Sequence, residues 1–330
     1  MVTIRLDTYS TYHGLQAITF ENRALSMTIL PARGGNILRL IDKKHDADIL
    51  WKSPRIVPHQ AHLHDNFDDH WMGGWDDIFP TGRSCKDRYG DTLPYLGEVW
   101  SQLSNVEIIE NSSEKAVIRL KSFTPITPAK VEKTITLIGD QPFFDIEYRI
   151  TNVGTMPFDF QFGVHPALAT NIDFRFDVPA TTGLVAEAEN IGFGLPGEEY
   201  MWPDLNGIDM SLAKPIECKG IALHYLSGLT AGWLAATDTR NRRGFGIAFD
   251  RSKFPVVWFC AVYGGWRGYY NTLLEPWTSY PSGLDSAREQ GRAVILKPGE
   301  IFETKVTAVI YSGVDHVTSL SDDGTISNRT

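Results

Sequence analysis

The chain is poor in several things that would have fixed its class at once. It holds three cysteines in 330 residues, Cys85, Cys218 and Cys260, odd in number and far apart. That spacing excludes a disulfide framework and fits a reducing compartment. No apolar run approaches the length of a membrane span, and Met1 to Asp7 has no apolar signal core, so a cytoplasmic protein is expected. Basic residues number 31 against 40 acidic, a net charge of -9. Without a basic stripe, neither nucleic acid nor an anionic membrane is the expected partner. Lys43-Lys44 and Arg242-Arg243 are short pairs that read as turn residues. Helical periodicity is scarce, with no amphipathic pattern of three turns, and no short-period repeat argues for a propeller or solenoid. No nucleotide-binding loop or zinc spacing stands out.

What is present is short β-rich runs punctuated by Gly, Pro, Asn and Asp. Ala17 to Phe20 and Leu25 to Leu30 read as two arms of a hairpin, followed by Asn36 to Ile41 and Asp48 to Trp51. Strand patterns resume at Val106 to Ile109, Ala116 to Ser122, Val131 to Ile138, Phe143 to Thr151 and Phe158 to Val164. Further runs lie at Ile221 to Tyr225, Gly232 to Thr237, Gly244 to Phe249, Val256 to Val262, Asn271 to Glu275, Ala293 to Leu296 and Phe302 to Tyr311. The segment 53–100, rich in His, Asp, Gly and Trp, is too long for a plain connection. Residues 180–215 read as loop-rich, and the polar tail from Thr318 reads as frayed. With 42% hydrophobic and 22% charged residues a large core can be built and covered. About seventeen to twenty strands with few short helices and no linker predict an all-β protein, one large antiparallel β-sandwich domain over 1–330.

Two stretches could carry chemistry. In Tyr269 to Pro281 a strand-like run ends on Glu275, followed by Pro276 and ringed by aromatics. Burying a carboxylate costs several kcal/mol unless it is paired, raised in pKa or at the mouth of a cleft. An ordinary salt bridge is the alternative. In Phe160 to Leu168 a run of alternating aromatics leads into Gly163-Val164-His165-Pro166, where the proline restricts His165 and is expected to stop the strand. A satisfied core or turn histidine is the plain alternative. An acid and a base held apart on two strand ends suit a reaction that puts one proton on and takes another off. His59, His62, His64 and His70 with Asp65, Asp68 and Asp69 match no recognised ligand spacing, and a polar loop over a cleft is expected there instead of a metal site. Trp71, Trp75, Trp202, Trp266 and Trp277 stand in loop-like contexts where a flat indole could meet a sugar. For Trp51, Trp233 and Trp258 core packing is preferred. Arg33 and Arg267, each beside a glycine, could orient a hydroxyl or an anion.

Gly163-Val164-His165-Pro166, followed far downstream by Leu274-Glu275-Pro276, resembles the aldose 1-epimerase (galactose mutarotase-like) superfamily. Leu30 to Ile37 is similar to that family's early hairpin, Gly73-Gly74-Trp75-Asp76-Asp77 to a Gly-Gly segment of several of its branches, and Leu296 to Glu300 to its closing strand pair. The ordered set spans roughly residues 14 to 312. The resemblance implies a β-supersandwich with no cofactor, acting on a small-molecule carbohydrate, with a homodimer left open. By motif position His165 would be the acid on the ring oxygen and Glu275 the base on the anomeric hydroxyl. Arg33, Trp75, Asp76, Asp77, Glu98, Trp266 and Trp277 are the expected substrate-binding residues. A lyase, an epimerase at another carbon, or a sugar-binding protein without turnover stay open beside this reading. One departure stands out: Leu96 occupies the place where the family commonly has a second histidine.

Overall fold

Period-two alternation builds the sheets. In the strand Ala129–Ile138 the residues Ala129, Val131, Lys133, Ile135 and Leu137 are all buried, while Lys130, Thr134 and Thr136 between them are half-buried. Ile135 stands opposite Ile118 of Lys115–Phe123 on one side and Ile146 of Phe143–Asn152 on the other. A row of such side chains, each worth about 1.5–3 kcal/mol on full burial, fixes the register, because a one-residue slip would turn the whole row to water.

The computed structural model describes residues 4–189 and 191–328. They fall into two compact units, Met1–His165 with Thr278–Lys305, and Pro166–Trp277 with Val306–Thr330. In the first unit Arg5–Tyr12, Leu15–Glu21, Leu25–Leu30 and Asn36–Asp42 form an antiparallel meander that Trp75–Ile78 joins. Asn105–Asn111, Lys115–Phe123, Ala129–Ile138 and Phe143–Asn152 form a second meander. In the second unit Thr182–Ala188, Gly220–Ser227, Val256–Tyr263 and Tyr270–Trp277 pair antiparallel in that order. Phe174–Asp177, Trp233–Asp238 and Arg243–Phe249 continue to Val306 through Ser312. The architecture is an antiparallel β-sandwich, and its α-helices among the described residues are the short Phe67–His70 and Leu284–Glu289. Among the described residues no helix is long and apolar enough to cross a membrane.

Several expectations are corrected. Neither proline ends its strand: Gly163–Leu168 runs through Pro166, and Tyr270–Trp277 runs through Pro276. Proline's fixed φ fits an extended chain, and only the N–H is given up. The loop-rich reading of 180–215 overlooks Thr182–Ala188, and the early reading overlooks Arg5–Tyr12. The tail is no fray: Val317–Leu320 pairs with Ile326–Asn328, while residues 329–330 lie outside the described residues. Its polar composition belongs to the turn, where Asp323 accepts from Ser321 Oγ (2.6 Å) and the Thr325 amide (2.9 Å). Val317 and Leu320 are buried, and the Val317 amide donates to Asp177 at 2.9 Å.

Candidate functional site

In the first unit the candidate acid His165 is enclosed by aromatic rings. Its ring meets the edges of Phe67 (centroids 6.0 Å, planes 89° apart) and Trp71 (6.1 Å, 69°). Phe67 in turn stands against Trp100 at 5.0 Å, and its short helix is capped by Asn66, whose side chain accepts from the Asp69 amide. Arg33 fastens this segment. Its guanidinium donates to the carbonyls of His59 (3.1 Å) and His70 (3.0 Å) and lies 5.3 Å over the Trp100 ring. Aromatic enclosure strips water from the imidazole, and this desolvation pushes His165 down to about 3. It is a neutral imidazole at pH 7.

In the second unit the candidate base Glu275 lies on the strand Tyr270–Trp277. Strand alternation puts Asn271, Leu273, Glu275 and Trp277 on one face of Tyr270–Trp277. Trp277 Nε1 donates to Glu275 Oε2 at 2.8 Å, and the Trp277 ring stacks on Trp258 at 3.7 Å with planes 9° apart. Trp258 is the cross-strand neighbour of Glu275, and Tyr225, opposite Trp258 on the next strand, lies 5.1 Å from it. The carboxyl thus sits on an aromatic floor, only 2% exposed. Burial pushes it up to about 8, opposed by the indole N–H, which favours the ionised form.

The remaining candidates are placed as follows. Asp77 forms a buried ion pair with Lys133 (2.8 Å) and accepts from the Tyr148 hydroxyl at 2.7 Å, which explains the lysine in an otherwise apolar row. Asp76 accepts from Asn36 Nδ2 at 2.8 Å and is raised to about 6 by burial, with the Arg33 charge opposing. Glu98 accepts from the amides of Ile126 (2.7 Å) and Thr127 (3.0 Å), and burial raises it. Trp75 is fully buried, 6.2 Å from Phe144. Trp266 is half-buried beneath the Arg267 guanidinium at 4.9 Å. Leu96 is buried with φ +56°, its amide donating to Gly82 at 2.8 Å. Gly73 has φ +83°, and a Cβ there would stand 2.2 Å from the Trp51 carbonyl, so the Gly-Gly pair is a demand of the backbone. His62 and His70 lie 3.6 and 3.7 Å from Asp65. Among the described residues no group of three or more His, Cys, Asp or Glu is disposed to hold a metal ion. Sequence reasoning overlooked Lys133, Tyr148 and Asn36, and it placed Trp258 in the core without the stack that supports Trp277. Period-two counting back from Glu275 would have found Asn271.

No family model and no curated protein matches the sequence. Solved structures do match. A galactose mutarotase-like protein from Clostridium acetobutylicum is 15% identical over 94% of this chain and 99% of its own, with a TM-score of 0.68. A galactose mutarotase related enzyme from Lactobacillus acidophilus is 16% identical, covers 91% of this chain and 98% of its own, and has a TM-score of 0.63. A galactose mutarotase-like protein from Lactobacillus casei is 14% identical over 89% and 100%, also at 0.63. Such likeness across nearly whole chains defines a class, the large antiparallel β-sandwiches of this kind. The chain has the galactose mutarotase-like fold, and its motifs resemble the superfamily that bears that name.

Proposed function

We propose that this chain is an aldose 1-epimerase, interconverting the α and β anomers of a free or acidic sugar, with Glu275 as base and His165 as acid. The observation that carries the reading is Glu275 itself: a buried carboxyl on an aromatic floor, oriented by an indole N–H and raised to about 8. A carboxyl so raised is a strong proton acceptor when ionised.

In the forward direction Glu275 takes the anomeric hydroxyl proton while His165 delivers one to the ring oxygen. The bond from C1 to the ring oxygen breaks and leaves an open-chain aldehyde. Rotation about C1–C2 presents the other carbonyl face. Ring closure then returns both protons: Glu275 donates to the carbonyl oxygen and His165 takes the proton of the attacking hydroxyl. Burial favours a protonated Glu275 and a neutral His165 at pH 7. Ring opening starts from its tautomer, a Glu275 carboxylate with a His165 imidazolium, which carries the same single proton, and it leaves the neutral pair from which closure starts.

A sugar-binding protein without turnover is the second reading, favoured by the apolar Leu96 where the resemblance places a histidine. Polarimetry and exchange NMR over an aldose panel separate the two. Turnover that disappears in Glu275→Gln and His165→Ala supports the first; binding without turnover supports the second.

A further inference from the structure

Asn271 is fully buried, and neither its amide nitrogen nor its amide oxygen has a hydrogen-bond partner among the described residues. A buried primary amide that makes none of its bonds is costly, and native interiors rarely tolerate one without a water or ligand to satisfy it. Its place in the fold is the strand face of the candidate base. Asn271 lies on the strand face that carries Leu273, Glu275 and Trp277, facing Val262 across the pair while Glu275 faces Trp258. Thr272, on the opposite face, is already engaged with Thr170 at 3.1 Å.

Four residues along a strand separate the two Cα positions by about 13 Å. Asn271 and Glu275 therefore cannot bond each other. The side chain between them is apolar Leu273, and partly buried Cys260 stands opposite it. We propose that Asn271 is a specificity-determining residue of the sugar site, reading with donor and acceptor together a hydroxyl at the end of the pyranose remote from C1. The inference rests on the sugar-site reading of Glu275. It adds a second polar anchor on the same strand, separated from the proton-transferring carboxyl by an apolar spacer.

The test is isothermal calorimetry with a panel of D-glucose, D-galactose, D-mannose, D-xylose and the 4-deoxy and 6-deoxy hexoses. It uses the intact chain, Asn271→Leu and Asn271→Ser, with polarimetry on the same samples. The wild type should bind one hexose about tenfold or more tightly than its analogue lacking the read hydroxyl. Asn271→Leu should bind the two equally, at the weaker value, and should melt higher because an unsatisfied amide has been removed. Asn271→Ser guards against a folding defect and should show the same loss of discrimination. Unchanged discrimination in both variants overturns the inference, and Asn271 then satisfies itself with water. If the wild type turns over a sugar and Asn271 is indifferent, the inference falls and the proposed function stands. If a sugar binds without turnover and discrimination still depends on Asn271, the inference stands and the proposed function falls. If no sugar binds, both fall.

Discussion

The indole N–H of Trp277 donates to the Glu275 carboxylate at 2.8 Å across one intervening proline. That bond exists because period-two alternation returns residue 277 to the face of residue 275. The stack on Trp258 at 3.7 Å then keeps the indole from rotating away.

Removing the donor while keeping a ring should leave the carboxyl on its aromatic floor but destabilise its charged form. A bond to an ionised group is worth about 1.5–3 kcal/mol, which corresponds to about one pH unit or more. In Trp277→Phe the high-pH limb of kcat/KM, set by a Glu275 raised to about 8, should move upward by about that amount. A merely structural tryptophan would lower the melting temperature without moving the limb.

Stability should carry the imprint of the same group. Folded Glu275 keeps its proton up to about 8, whereas an unfolded glutamate releases it near its ordinary value of 4.5. Between those pH values the folded state holds the extra proton, so its stability falls as pH rises, by about 1.4 kcal/mol per pH unit at the steepest. Glu275→Gln escapes this loss. Its advantage over the wild type in denaturant melts should be absent at pH 4, grow through pH 5 to 8 and level off above.

Lys133 and Asp77 are both almost wholly buried, and their ion pair makes each tolerable. Lys133→Met removes one charge and leaves the other with the Tyr148 hydroxyl. Chemical denaturation should show a loss of about 3–5 kcal/mol, and adding Asp77→Asn should recover part of it.

Gly73→Ala tests the backbone of the Gly-Gly segment. With φ at +83° and the Trp51 carbonyl 2.2 Å from the added Cβ, the substitution must shift main chain. A loss of about 1–3 kcal/mol in stability is expected by calorimetry.

How much of this was legible beforehand depends on whether a residue's role is local. Alternation in Val131 to Leu137 announces a strand, but the partner of the lysine within it, Asp77, lies far upstream, where no local pattern shows it. Motif and proline neighbours single out Glu275 and His165 as candidates, yet both prolines mislead about where the strands stop. Asp77 and Glu98 looked available for substrate because sequence cannot show that Lys133, or the amides of Ile126 and Thr127, already engage them. The tail misled for the opposite reason: its polar residues make a turn between Val317 and Leu320 on one arm and Ile326 on the other.

The central claim is proton transfer at Glu275 and His165, and it is tested most directly by one measurement. Exchange NMR on the bound aldose, with the wild type, Glu275→Gln and His165→Ala side by side, reads the anomerisation rate at C1. The account predicts enhanced exchange in the wild type, constant from about pH 4 to 8 and falling above as the last proton is lost from the pair, with enhancement abolished in both variants while the sugar still binds. An enhancement that survives either substitution unchanged would contradict it.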